Sequence, residues 1–176
     1  NTLGIGHLYE KGTEEQRKKY VPKLVTGEAL AAWALTEPGA GSDAGGMRTK
    51  ARLDGNEWVI DGTKCFITQG AVAEVVVVMA ITDPTKGARG ISAFIVPKGT
   101  PGFSYGLNED KIGMRGTITS ELVFENCRVP KENLLGKEGD GFVGAMNILD
   151  KGRVAIAALA VGLAQGALDE AVKYSK

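Results

Sequence analysis

The chain has 176 residues, with 21 Lys plus Arg against 21 Asp plus Glu and a formal net charge of zero. That length suits one ordinary domain with appendages, and the charge balance excludes a broad cationic surface for nucleic acid, so an anionic ligand has to be held by local groups. Cys65 and Cys127 lack metal-ligand spacing and His7 is the only histidine, which argues against a metal centre or a Ser–His triad.

Residues 13–24 read as a helix, with Thr13 and Gln16 spaced as a capping box and Glu14 and Glu15 at the positive end of the helix dipole. Pro22 is expected to break this helix or start a second turn. The basic cluster 17–19 reads as a solvated face. From Leu30 the pattern changes to strands. Residues 47–53 and 57–60 flank Asp54-Gly55-Asn56, a hairpin signal, and Asp61-Gly62 then turns the chain into a strand over 64–68. The Val-rich run 74–81 lacks alternation and is predicted to be fully buried. A turn-rich loop at 83–89 precedes a strand at 90–96. Residues 99–102 turn again, and a strand at 120–125 is closed by Val129-Pro130. Both cysteines fall on apolar, strand-like segments and are expected to be free thiols in a reducing compartment. From Gly139 the period becomes helical, with 141–149 and 150–174 as two helices and Gly162 and Gly166 spaced to admit a neighbouring helix. The apolar run 154–168 contains Gln165 and reads as a packed helix of a soluble protein, not a membrane span. No signal peptide is visible; the chain starts at Asn1 and stops inside a helical pattern, so both ends are expected to be cut.

Short strands at close spacing with Gly/Pro punctuation predict a mainly β fold, a sandwich or small barrel, with flanking helices. A Rossmann sheet is not expected, because the glycine-rich loop at 39–41 leads into another strand and not into a helix. The order is a helical tail (1–30), a β-domain (31–136) and a helical start (137–176).

The stretch 33–43, W-A-L-T-E-P-G-A-G-S-D, carries the most chemistry. An apolar strand ends in a hydroxyl, a carboxylate and a proline, then opens into a loop of exposed N–H groups that a phosphate can approach because glycine has no Cβ. The alternative is a strand followed by an ordinary turn. The whole string resembles the flavin-binding signature of the acyl-CoA dehydrogenase family. E-E-Q-R-K-K-Y-V-P-K-L-V-T-G-E (14–28), D-G-T-K-C-F-I-T-Q-G (61–70), F-E-N-C-R-V-P-K-E-N-L-L-G (124–136) and L-D-K-G-R (149–153) are similar to the family in order and spacing.

The resemblance implies the end of an N-terminal helical domain, a complete middle β-domain and the start of a C-terminal helical domain. It implies an FAD-dependent enzyme that oxidises an acyl-CoA to the trans-2-enoyl-CoA and passes electrons to an electron-transfer flavoprotein. The implied flavin contacts are Trp33, Leu35, Thr36, Gly41, Ser42, Phe66, Ile67 and Thr68. The Thr36 hydroxyl and Leu35 backbone would meet the pyrimidine end of the ring, where donors favour the reduced state. Gly41 and Ser42 would give N–H groups to the pyrophosphate, Ser42 would also reach CoA, and Thr68 would bond near flavin N5. Phe66 stands where the family commonly has Trp, and Gln69 where Asn is frequent. Taken singly, Thr36 is a strand residue with a satisfied hydroxyl, Ser42 a turn serine and Phe66 a core aromatic.

Asp150 and Arg153 match acyl-CoA-site positions, though at i, i+3 they can equally pair with each other. Gly152 occupies the position where isovaleryl-type members carry the catalytic glutamate, so the general base is expected beyond Lys176; Glu37 is not expected to serve. Lys86 and Arg89 are candidates to meet a CoA phosphate. Arg115, in I-G-M-R-G, matches a recurrent family loop with no chemistry to assign. The parent protein is implied to be a homotetramer of the bacterial cytoplasm or mitochondrial matrix, leaning toward short-chain or branched-chain acyl groups. An acyl-CoA oxidase, a flavin monooxygenase-like relative, or a non-catalytic binding module are the alternatives; the isolated piece is expected to hold FAD weakly or not at all.

Overall fold

The structure, a computed structural model, describes residues 2–176. Helices α1 (Thr2–Lys11) and α2 (Glu14–Thr26) lead the chain. Gln16 N donates to Thr13 Oγ1 at 3.2 Å and Thr13 N donates to Gln16 Oε1 at 2.9 Å, completing the capping box. Gln16 Nε2 also donates to the carbonyls of Glu132 (2.8 Å) and Leu134 (3.1 Å), tying α2 to the far end of the β-domain. Pro22 does not break α2, which runs on to Thr26. The carbonyl deprived of its partner belongs to Lys18, on an exposed stretch where water can replace the bond.

Eight strands follow: β1 (Ala31–Ala34), β2 (Lys50–Asp54), β3 (Glu57–Thr68), β4 (Val75–Ile81), β5 (Ile91–Pro97), β6 (Phe103–Asn108), β7 (Thr119–Pro130) and β8 (Leu134–Leu135). They form one sheet in the order β6-β7-β3-β2-β4-β5-β8, with β1 parallel to β4 off this path. The mainly β fold with flanking helices is therefore present. β4 is buried on both faces. Val76, Val78 and Ala80 join one core with Trp58, Ile60, Phe94 and Phe124. Val75, Val77 and Met79 join a second core beneath the helices, with Leu8, Leu24, Ile95 and Ala145. Two covered faces remove the need for alternation, which is why the valine run is continuous.

Four expectations are corrected. Asp61-Gly62 is not a turn: β3 passes straight through it with a register shift against β7. Gly62 has φ +150°, and a Cβ there would lie 2.7 Å from Thr49 Cα, so only glycine passes this point. β7 runs past 125 to Pro130, because it pairs with the full length of β3. β6 is an additional edge strand whose residues after Phe103 are exposed, leaving no buried face to betray it. Finally, α3 (Gly141–Ser175) is one helix, not two: Asp150 bonds to Arg153 and does not cap a new start.

The first part of α3 buries Gly141, Gly144, Ala145 and Ile148. Every residue from 153 to 176 is exposed, so the apolar run 154–168 buries no residue among those described. By length and composition alone α3 could cross a membrane. Both cysteines are buried free thiols, and burial pushes the Cys127 thiol up to about 12. Phe94 is fully buried and stands edge-on to Trp58 at 5.1 Å. Phe94→Ala should cost about 3–5 kcal/mol of stability, read from urea denaturation.

Candidate flavin-facing site

β1 delivers the chain into a tight turn: Ala40 N donates to Glu37 O at 3.1 Å and Glu37 N donates to Ala40 O at 3.0 Å. The Glu37 side chain, 5% exposed, turns inward. It receives Lys64 Nζ at 2.8 Å, Arg48 N at 2.6 Å and Thr49 N at 3.0 Å. All three are donors, which defines an ionised carboxylate. Burial pushes the Glu37 pKa up, but the charge and hydrogen bond of Lys64, with the bonds from Thr49 and Arg48, outweigh it and hold it below the ordinary value. Lys64 is fully buried; burial lowers its pKa, with Glu37 opposing that fall, and Nζ also donates to Leu35 O at 3.0 Å. Cys65 N donates to Thr36 O at 3.0 Å. Loop 35–40, residues 48–49 and β3 thus meet at one ion pair, and the saturated Glu37 carboxylate is spent on structure.

Past Lys64, β3 bulges. Its register against β7 shifts between Lys64 and Ile67. Phe66 takes φ +57° and is 63% exposed, Ile67 turns inward and Thr68 faces out. A bulky aromatic in the left-handed region is a strained position. The core-aromatic alternative for Phe66 is therefore excluded.

The residues present fit a phosphate-bearing flavin. Among the described residues, the hydroxyls of Thr36, Ser42 and Thr68 have no partner, and the N–H groups of Gly41 and Ser42 have no acceptor. A Cβ on Gly39 or Gly41 would meet nothing within 4 Å, and neither glycine has positive φ. The fold itself does not require glycine at either position, whereas a closely approaching ligand would.

Trp33 is half-buried, and its Nε1 donates to His7 Nδ1 at 3.1 Å. His7 is 1% exposed; burial, then the Lys11 charge, lower its pKa to about 4, against a smaller opposing effect of Glu10. Farther along, Asp150 and Arg153 pair with each other at 2.7 Å on the surface. Gly152 faces α1, where a Cβ would lie 3.2 Å from Leu3 Cδ2. Thr2, Leu3, Leu149, Gly152, Arg153 and Ile156 line a largely apolar groove of about 550 Å³ between α1 and α3. Lys86 is paired with Asp83 at 2.9 Å and Arg89 is exposed beside it. Arg115 closes its own loop onto Asp110 (2.9 Å) and Lys111 O (2.7 Å). The sequence pattern did not reveal Lys64, His7 or Leu3; a lysine inside an otherwise apolar strand segment was the one available signal.

The family described as acyl-CoA dehydrogenase, middle domain, matches residues 32–127, and the acyl-CoA dehydrogenase C-terminal domain matches residues 139–176. This chain belongs to the acyl-CoA dehydrogenase family. It is 56% identical over 169 residues to an acryloyl-CoA reductase (NADH) of Anaerotignum propionicum, covering 95% of this chain and 43% of that protein. Butyryl-CoA dehydrogenase from Megasphaera elsdenii superposes with a TM-score of 0.95 at 48% identity, over 99% of this chain and 46% of that one. A chain from the structural study of the electron transferring flavoprotein of Acidaminococcus fermentans, concerned with flavin-based electron bifurcation, gives 0.96 at 52% identity, over 99% and 46%. The chain thus spans less than half the length of these relatives.

Lys64→Met leaves the buried Glu37 carboxylate unpaired and should cost about 3–5 kcal/mol, whereas the Glu37→Gln/Lys64→Met double variant should lose much less; urea denaturation of both decides it. Acid adds a second check. The His7 pKa is lower in the folded chain than its ordinary 6.5, so its contribution is complete above pH 6.5 and lost as pH falls toward about 4. Stability should drop by about 3 kcal/mol across that window, and His7→Asn should flatten the slope. Loss of the Glu37 contribution follows below about pH 4.5, its own pKa being lowered.

Proposed function

We propose that this chain forms the flavin-facing part of an FAD-dependent acyl-CoA dehydrogenase that converts an acyl-CoA to the trans-2-enoyl-CoA. The observation that carries this reading is the join of loop 36–42 to the bulged strand β3 through the Cys65–Thr36 bond, with the strained, exposed Phe66 on one side and, on the other, a loop of unpartnered hydroxyls, free N–H groups and two sterically unnecessary glycines. Thr36 and the Leu35 backbone would hold the pyrimidine end of the flavin. Gly41 and Ser42 would hold the pyrophosphate. Trp33, Phe66 and Thr68, with the backbone of the inward-turned Ile67, would wall and orient the ring. Bound FAD supplies the hydride acceptor. The groove beside Gly152 suits an apolar acyl chain, with Arg153 on its wall; Asp150 would join Arg153 at the acyl-CoA, and Ser42 would reach the CoA part. Gly152 has no side chain to take a proton and Glu37 is spent, so the base belongs to residues beyond Lys176.

Several relatives' names support details of this reading. Butyryl-CoA dehydrogenase favours a short acyl chain, and the Acidaminococcus structure favours an electron-transfer flavoprotein as acceptor. The acryloyl-CoA reductase favours a second reading in which the same site runs toward the saturated thioester. The exposed apolar face of α3 suits burial in a C-terminal helical bundle, not a bilayer, and a homotetrameric assembly. The free buried thiols suit the bacterial cytoplasm or mitochondrial matrix.

Native-length protein loaded with FAD should bleach its flavin with butyryl-CoA and turn over with an electron-transfer flavoprotein or dye. Enoyl-CoA reduction outpacing oxidation would favour the second reading; no turnover with any acyl chain would overturn both. Gly41→Ala should leave unfolding free energy within about 0.5 kcal/mol, since the added Cβ meets open space, yet weaken FAD binding about tenfold or more.

A further inference from the structure

We infer that His7 is a positioning residue that fixes the Trp33 indole on the wall of the flavin-facing loop, from a slot that Gly144 of α3 leaves open. The inference rests on the flavin-facing reading of residues 33–42.

Trp33 is half-buried, so part of its ring remains available to a ligand while its only polar atom does not. An indole has two side-chain torsions, and a hydrogen bond at its Nε1 restrains both. The acceptor is His7 Nδ1 at 3.1 Å, with the two rings 6.4 Å apart and inclined by 49°. For Nδ1 to accept, the neutral imidazole must carry its proton on Nε2. The imidazole is itself immobilised: it is almost wholly buried, and a Cβ on Gly144 would stand 2.9 Å from Nε2 and 3.6 Å from Cε1. Lys11 borders the same slot, its Cε 3.5 Å from that Cβ position. Glu10, the other charged group acting on His7, is ion-paired with Lys151 of α3.

Three elements therefore meet at one ring. α1 supplies His7, β1 supplies Trp33, and α3 supplies the glycine that makes room. Beyond Gly144 the same helix carries Leu149, Gly152 and Arg153 along the apolar groove. A shift of α3 toward α1 would displace the imidazole and release the indole. His7 links the flavin wall to the helix bearing the acyl groove without touching either ligand.

The test uses native-length, FAD-loaded protein and three variants: His7→Leu, His7→Asn and Gly144→Ala. Asn can present Oδ1 where Nδ1 stood, and Leu cannot. FAD affinity, the visible flavin spectrum and the flavin midpoint potential are measured beside the thermal midpoint. His7→Leu should weaken FAD binding about fivefold or more and shift the spectrum and potential. His7→Asn should restore all three toward the wild type even where both variants lose similar stability, and Gly144→Ala should resemble His7→Leu. An unchanged flavin in His7→Leu, or equal changes in the Leu and Asn variants that follow their loss of stability, would overturn the inference alone. A wild type that binds no FAD would overturn the flavin-facing reading and this inference with it.

Discussion

The buried ion pair of Glu37 and Lys64 is the constraint around which the site is arranged. Removing two charges from water costs several kcal/mol per ion, and an apolar pair of similar volume could fill the same space as stably. What an apolar pair could not do is fix directions, because hydrophobic burial is non-directional. The Glu37 carboxylate sets where the N–H groups of Arg48 and Thr49 lie, and the Lys64 ammonium sets where the Leu35 carbonyl lies. Those bonds hold the strand leading into the glycine loop against the strand that carries the bulge. The adjacent Cys65–Thr36 bond completes the join.

The rest of the fold supports that join from both sides of β4. One core, rich in β3 and β7 residues, fixes the strand that bulges. The other, beneath α1 and the start of α3, fixes β1 and the loop it feeds. α3 contributes four buried residues near its start and then leaves the body of the chain, exposing valines, leucines and an isoleucine over its remaining length. Apolar surface on that scale marks an interface. Residues 139–176 match the acyl-CoA dehydrogenase C-terminal domain, and helices of a bundle bury apolar faces of this kind against one another.

Legibility in the sequence followed the range of each interaction. The α2 cap needed only Thr13 and Gln16, three residues apart, and β4 needed only an unbroken run of valine; both were readable locally. Long-range pairing was not. β3 looked like two strands because Asp61-Gly62 has turn chemistry, yet β7 lies alongside both halves and Thr49 crowds Gly62, so tertiary pairing overrode the local signal. Lys64 and Glu37 were hidden for a related reason. They are 27 residues apart, and the shifts in register around Lys64 conceal which face of the strand it occupies. His7 and Trp33 are 26 apart on different elements, and a single histidine carries no pattern. The glycine loop was legible as a motif, but only its geometry shows that Gly39 and Gly41 have no structural reason to be glycine.

Phe66 shows why the ion pair and the bulge belong together. A phenylalanine at φ +57° costs roughly 1–3 kcal/mol relative to an extended residue, and at 63% exposure it recovers little of that by burial. Nothing local to Phe66 therefore favours its conformation. It persists because its neighbours are over-determined: Lys64 is anchored by Glu37 and Leu35, Cys65 by Thr36, Ile67 by the core, and Gln69 by Ile118 O at 2.7 Å. With both flanks fixed and one residue too many between them, the chain can only push Phe66 outward, next to the residue that bonds Thr36. The strain is thus a consequence of the same buried charges that align the two strands, and it leaves the Phe66 ring exposed at the bulge.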